Sequence, residues 1–265
     1  MNNKRLPCSY KFSPQSVSGT LVSSLYILFA LLCSAAANAE VIRFYGEAFA
    51  LNSRSEQTAE NTEKEPDLLY REYHTLRYKE DTLLYRHVEY RDPSGELIAS
   101  KENFYHSSGL TPDFTLQDHR REYYESAVIS PGKIQMTLKE PGEKKKQKRM
   151  SAPDNLVVDA GFDNLIQQRW NDLINGQPVD FEFASPARQS LIGFRLTLDS
   201  IDGQQVNFKM TLSSRLLAWL VDPLFLRYDR TTRRLLSYQG LTNIADISDG
   251  ADAENYSAII RYHYD

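Results

Sequence analysis

The chain has 265 residues, 31 basic and 35 acidic side chains, and a formal net charge of −4. Such an acidic balance offers no electrostatic footprint for nucleic acid. Sixteen tyrosines and twelve phenylalanines lean the composition toward sheet.

The first 39 residues carry Lys4, Arg5 and Lys11 and no acidic side chain. An apolar run from Leu21 to Leu32 follows, interrupted by Ser23 and Ser24, and small residues end in Ala37-Asn38-Ala39. This order is that of an export signal, with cleavage expected after Ala39. The apolar run is 12 residues long, short of the roughly 20 that span a bilayer as a helix. A soluble product is therefore expected rather than an anchored one. Cys33 follows Leu32 instead of a small residue, which weighs against lipidation there. Both cysteines, Cys8 and Cys33, fall in this leader. The mature chain then has no thiol nucleophile, no cysteine-ligated metal and no disulfide in the oxidising compartment it enters. Of the 31 basic residues, the three in the leader are lost. The remaining 28 against 35 acidic give a mature charge of −7.

The mature chain, residues 40–265, is expected to be a single β-rich domain, with a sub-sheet boundary near 141–155 as an alternative. A first strand is predicted over Val41–Ala50. The polar and acidic stretch 52–67 reads as a loop. From Leu68 the period of two is strong: Tyr70, Glu72, His74, Leu76 and Tyr78 share one face. Leu83–Arg91 and Glu96–Tyr105 follow, joined by the turn Asp92-Pro93-Ser94-Gly95. Arg121–Ile129 and Lys133–Glu140 form a second hairpin about Ser130-Pro131-Gly132. Residues 141–149 form a basic loop. Phe162, Leu165, Ile166, Arg169, Trp170, Leu173 and Ile174 then follow helical spacing, with Asp159 as cap and Gly176 past the end. Strands resume over Val179–Ala184, Leu191–Leu198 and Gln205–Leu212, the last two joined at Asp202-Gly203. A short helix over Ser213–Val221 precedes strands at Leu224–Tyr228, Arg234–Gln239 and Tyr256–Tyr264. These strands with their mostly short links predict a long, curved antiparallel sheet, half-barrel-like, with one main helix packed on it.

The block Val157-Val158-Asp159-Ala160-Gly161-Phe162-Asp163-Asn164 continues into Phe181-Glu182-Phe183. After it come Leu220-Val221-Asp222-Pro223, then Tyr228-Asp229-Arg230-Thr231-Thr232-Arg233-Arg234, then Tyr238-Gln239-Gly240-Leu241. Over residues 155–265 this resembles uncharacterised exported bacterial proteins of the domain-of-unknown-function type. Their pattern is similar to that of half-barrel periplasmic carriers of lipids or lipoproteins. The resemblance implies a concave, lipid-accepting sheet in a Gram-negative periplasm, and it carries over no catalytic residue.

The residues point to no familiar chemistry. Gly-Xaa-Ser-Xaa-Gly and phosphate-cradling glycine loops are absent from the sequence. His74, His87, His106 and His119 lie close in sequence and His263 far off. With Glu72, Glu89 or Asp118 they would complete a metal site, but no His-Xaa-His spacing places two on one element. Half-exposed sheet histidines are the simpler reading, and an enzyme using them is the least favoured. No cofactor is called for. Trp170, Leu216, Leu217, Trp219 and Leu220 lie on the two helical stretches. Such spacing marks core, and in an open half-barrel it would also line or lid an apolar groove. These five are the candidate ligand-binding residues. Lys144, Lys145, Lys146, Lys148 and Arg149 are either a solvated loop or a contact for anionic headgroups. The expectation is a non-enzymatic periplasmic binding or carrier protein for lipid or a lipidated partner. The alternative is an envelope structural or interaction protein, docking an envelope partner through sheet edges and the 52–67 loop.

Overall fold

The computed structural model describes residues 39–51, 67–106, 108–214, 222–248 and 253–264. Along the first half of the chain run β1 (Ala39–Ala50), β2 (Leu68–Lys79), β3 (Thr82–Arg91), β4 (Leu97–Phe104), β5 (Asp113–Asp118), β6 (Tyr123–Ser130), β7 (Lys133–Lys139) and β8 (Lys146–Ser151). Next come β9 (Leu156–Val158), α1 (Gly161–Gln168) and α2 (Trp170–Ile174). The rest is β10 (Val179–Ser185), β11 (Ser190–Asp202), β12 (Gln205–Leu212), β13 (Leu224–Asp229), β14 (Leu235–Ala245) and β15 (Asn255–Tyr264).

All fifteen strands among the described residues belong to one sheet, in the order β8-β7-β6-β5-β4-β3-β2-β1-β15-β14-β13-β12-β11-β10-β9. The fold class is that expected: mainly β, one large, open, curved sheet. Neighbours are antiparallel except β9 beside β10, which are parallel. Short hairpins explain most of the order. Gly95 donates its N–H to the Asp92 carbonyl at 3.0 Å, and the Asp92 carboxylate accepts from Ser94 and from the Glu96 N–H. After Pro131, Gly132 takes φ +68°, which closes the two-residue loop between Ser130 and Lys133.

The two edge strands, β8 and β9, are consecutive in the chain. Residues 152–155 join them, and five Cα steps reach at most about 19 Å. The sheet must therefore curl until its edges approach. Met150 and Ala152 pack in the same apolar cluster as Leu156 and Val158. Val158 also donates its N–H to the carbonyl of Leu110, in the β4–β5 loop, at 3.0 Å. The break expected near 141–155 is thus the place where one sheet's two ends meet, not a boundary between two sheets.

The helical stretch covers one part of the concave face. Leu165, Ile166, Trp170 and Leu173 are buried against Phe181, Leu196, Phe208, Met210, Leu226 and Tyr228. Trp170 meets Phe208 and Tyr228 edge-on, with ring centres 5.5 and 5.8 Å away. Gly176, at φ +80°, donates to Leu173, and Gln177 donates to Asp172. This pair of bonds is a Schellman ending, as the glycine predicted.

Several expectations are corrected. One helix is predicted, whereas two form, with a break at Arg169 (φ −102°, ψ 15°). Asp159 is not the cap. Ala160 holds that position with no side-chain cap, and Asp159 stands one residue earlier at φ +41°. The basic loop is in part a strand, β8, paired with β7 through Lys133↔Ser151 to Leu138↔Lys146. Strands β5 and β9 are likewise additional to the predicted spans. The predicted loop over 52–67, except Asp67, and the predicted helix over Ser213–Val221, except Ser213 and Ser214, lie outside the described residues.

Gly161 opens α1 directly beneath the β4–β5 loop. A Cβ there would overlap the carbonyl of Leu110. Gly161→Ala is expected to cost about 1–3 kcal/mol, the range for overpacking. Urea unfolding measures it, and an unchanged midpoint would mean that the loop yields freely.

Candidate functional site

The period of two that builds β2 also fills the interior. On its inward face Tyr70, Glu72, His74 and Leu76 are all buried. Register places Val88 opposite His74 and Tyr90 opposite Glu72 on β3, and Lys101 opposite Val88 on β4. In phase with these lie Arg86 on β3, Asn103 on β4 and Glu125 on β6. The apolar interior thus contains a band of ionisable groups. Each would cost several kcal/mol to bury without a partner.

Asp159 organises one part of this band. It accepts from Lys101 at 3.2 Å, from Asn103 Nδ2 at 3.1 Å and from Asn243 Nδ2 at 3.2 Å. Those donors stand on β4 and β14. Its left-handed φ is one that Asp tolerates better than most residues. Burial opposes its charge, but Lys101, the Ala160 N–H and Asn103 together hold its carboxyl below the usual range.

Glu72 and His74 form a second unit. Nε2 of His74 lies 3.0 Å from Glu72 Oε2, and the Tyr262 hydroxyl donates to the same oxygen at 3.3 Å. Burial pushes the imidazole down to about 4, against the pull of Glu72. Burial would raise the Glu72 carboxyl, yet His74, Lys101 and Tyr262 bring it below its ordinary value. The pair is therefore a neutral imidazole donating from Nε2 to a carboxylate. Glu125 behaves in the opposite way. Burial, then the nearby charge of Asp159, pushes it up to about 7.

Beside this band lies a cavity of about 900 Å³. Phe162 of α1, Phe183, Ile192, Phe194, Met210, Leu212 and Leu224 give it an apolar wall. Glu72, His74, Arg86, Lys101, Glu125, Asp159 and Asp163 give it a polar one. Its volume falls in the range of small-molecule sites, about 300–1,000 Å³.

Of the residues singled out in the sequence, Trp170 is 3% exposed in the helix–sheet core and is not among the residues that line the cavity. Leu216, Leu217, Trp219 and Leu220 lie outside the described residues, in a segment flanked by the cavity-lining Ser214 and Leu224. Lys144, Lys145, Lys146, Lys148 and Arg149 are exposed on and just before edge strand β8. Lys146 pairs with Glu140 at 2.9 Å, and Arg149 donates to Gln135.

The histidines do not converge. His74 is interior. His106 faces Asp113 at 3.2 Å, His119 lies 3.1 Å from Ser100, and His263 lies 3.4 Å from Glu47, all three exposed. His87 stands opposite Thr75 and Glu102, on the other face of β3 from Val88. Among the described residues no three His, Cys, Asp or Glu side chains stand together as a metal site. The sequence reading did not select Arg86, Lys101, Asn103 or Glu125. Their signal is a charged or amide side chain in phase with buried apolar neighbours on the same strand.

Fold and site together define a mainly β protein whose single open, curved sheet encloses a cavity with one apolar and one charged wall. No family model matches the chain, and no curated protein matches it. Among solved structures it is similar to a beta-barrel-like protein of domain of unknown function DUF1849 from Brucella abortus. The TM-score is 0.49 and the identity 8%, over 85% of this chain and 98% of that chain.

Glu125 sets a pH dependence. The stability its neutral form contributes is full below the unfolded value near 4.5 and is lost as pH rises through about 7. The loss is about 3 kcal/mol, at roughly 1.4 kcal/mol per unit. His74 has the opposite sign: its contribution is full above about 6.5 and is lost as pH falls through about 4. Glu125→Gln should match the parent at pH 4 and exceed it in denaturant midpoint at pH 8. Equal midpoints at pH 8 would refute the assignment.

Proposed function

We propose that this chain is a non-enzymatic, exported binding or carrier protein that shelters the acyl part of a lipid, or of a lipidated partner, inside its curved sheet. The observation that carries the reading is the cavity of about 900 Å³ lined by both apolar and charged residues. Apolar surface rewards transfer of a chain out of water at about 25 cal/mol per Å² buried. The polar wall would orient a headgroup. The histidines that catalysis would need are dispersed, which favours binding over chemistry.

The leader supports a periplasmic setting in a Gram-negative envelope, with cleavage after Ala39. Strand β1 begins at Ala39, so cleavage there would leave the rest of the sheet whole. The sequence resemblance of residues 155–265 to uncharacterised exported proteins, whose pattern is similar to that of half-barrel lipid and lipoprotein carriers, supports the same reading. The cationic residues at 144–149 would favour an anionic membrane surface by about 1 kcal/mol each when close to it. The alternative of an envelope interaction protein would use the exposed β8 edge. Lysines on an edge strand, however, discourage pairing with another chain.

Mild purification followed by native mass spectrometry is expected to show about one acyl lipid per chain, and amino-terminal sequencing to begin at Glu40. No co-purifying lipid, together with no binding of a fluorescent fatty acid, would overturn the carrier reading.

A further inference from the structure

The cavity contains two interior cations, and they differ in what surrounds them. Lys101 is taken: its ammonium pairs with Asp159 at 3.2 Å. Arg86 is not. Its Nε is cut off from solvent with no hydrogen-bond partner, and the guanidinium makes no ion pair among the described residues. Its recorded ring contact is with the face of Phe44, 5.8 Å from the guanidinium carbon. A cation over an aromatic ring gains something. It still leaves five donors of a planar fork largely unused.

Other unused groups cluster around it. Tyr105 is buried and its hydroxyl has no partner. His74 keeps Nδ1 unpartnered. Both feel the charge of Arg86, as do Tyr262 and Tyr264. Two carboxylates flank the place, and each is already engaged. Asp163, whose charge acts on Arg86, accepts from the Tyr228 hydroxyl at 2.9 Å. Glu72 accepts from His74 and Tyr262. A half-buried guanidinium with a cut-off, unpartnered Nε in a cavity wall is an unsatisfied group that calls for a partner from outside the chain.

We propose that Arg86 is the anion-binding residue of the cavity and receives the charged head of an amphiphile, a carboxylate or a phosphate. The inference rests on the carrier reading above and deepens it by naming the head. The chemistry is specific. A guanidinium meets either group through two parallel N–H···O bonds. The chain of the same molecule would extend toward Phe183, Phe194 and Met210 on the apolar wall. Neutral and cationic amphiphiles would find the same wall but no use for Arg86.

The test is calorimetric titration of the full chain with three probes of one chain length: dodecanoate, dodecanoyl lysophosphatidate and monododecanoyl glycerol. An anionic probe should bind about ten- to hundredfold tighter than the neutral one, the worth of a charge-assisted bond in a dry site. The tighter of the two anions assigns the head. In Arg86→Met, which keeps an apolar stem, the anions should fall to the level of the neutral probe, itself unchanged. Equal affinities in the parent, or a preference that survives in Arg86→Met, would overturn the role of Arg86 and leave the carrier reading standing. Binding of none of the three, with no effect of inorganic phosphate, would sink the carrier reading and this inference with it. Inorganic phosphate is the fourth arm. If it raises the thermal midpoint through Arg86 while the amphiphiles do not bind, the anion site stands and the amphiphile does not. A control separates fold from binding: without ligand, Arg86→Met should melt at or above the parent temperature, because an unpaired charge is gone. A lower midpoint would make Arg86 a structural residue and refute the proposal.

Discussion

A fifteen-stranded sheet has two edges, and here a four-residue segment joins one to the other. That short tether, residues 152–155 between β8 and β9, forces the sheet to curl. An inside and an outside follow from it. Twist alone would coil so large a sheet, but would not bring its first and last members within reach of one chain. The parallel pairing of β9 with β10 follows from the same tether. The chain arrives at the far edge, turns through α1 and α2 across the concave face, and returns as β10 beside the strand it has just left.

Curling creates a volume that side chains must fill. The helix pair fills the part under β10–β13, where Trp170, Phe208 and Tyr228 interlock. Elsewhere the filling is mixed. Charged groups reach inward from β2, β3, β4 and β6, and the turn before α1 delivers Asp159 to meet Lys101 from 58 residues away. This connection ties the helix entrance to the opposite half of the sheet. Removing either partner would strand a buried charge, which is far more costly than never having had the pair. The interior is therefore held by a few specific contacts where an apolar core would have many interchangeable ones. It keeps open space as a result.

Much of this was legible in the sequence. Strict alternation along Leu68–Arg91, Pro-Gly and Pro-Ser-Gly turns, and the apolar spacing from Phe162 to Ile174 gave the strands, hairpins and helix where they stand. What was missed has physical causes. Strand β8 is exposed on both faces, so Lys146-Gln147-Lys148-Arg149 shows no alternation. Strand β9 is three residues long and exists because β10 pairs with it. Asp159 has the residue type of a helix cap, but it stands one residue too early, and Lys101 and the Asn103 amide of a distant strand hold its carboxylate. The inward phase of Glu72 and His74 was visible. That the same face of β3 and β4 would add Arg86 and Lys101 depended on register, which one strand's pattern does not contain.

One feature of the sheet bears on how the molecule comes into being. Its middle seam is the ladder between β1 and β15, where Phe44 faces Tyr264. The two residues are 220 positions apart. Every other antiparallel ladder joins strands that are consecutive in the chain, so two arms of the sheet grow locally while the seam waits for the last strand. Loop-closure entropy makes such a contact late and slow. A chain made amino-terminus first cannot close the seam until β15 has emerged. Until then two half-sheets expose unpaired central edges, and this assembly intermediate is where the protein is most exposed to aggregation and to proteases.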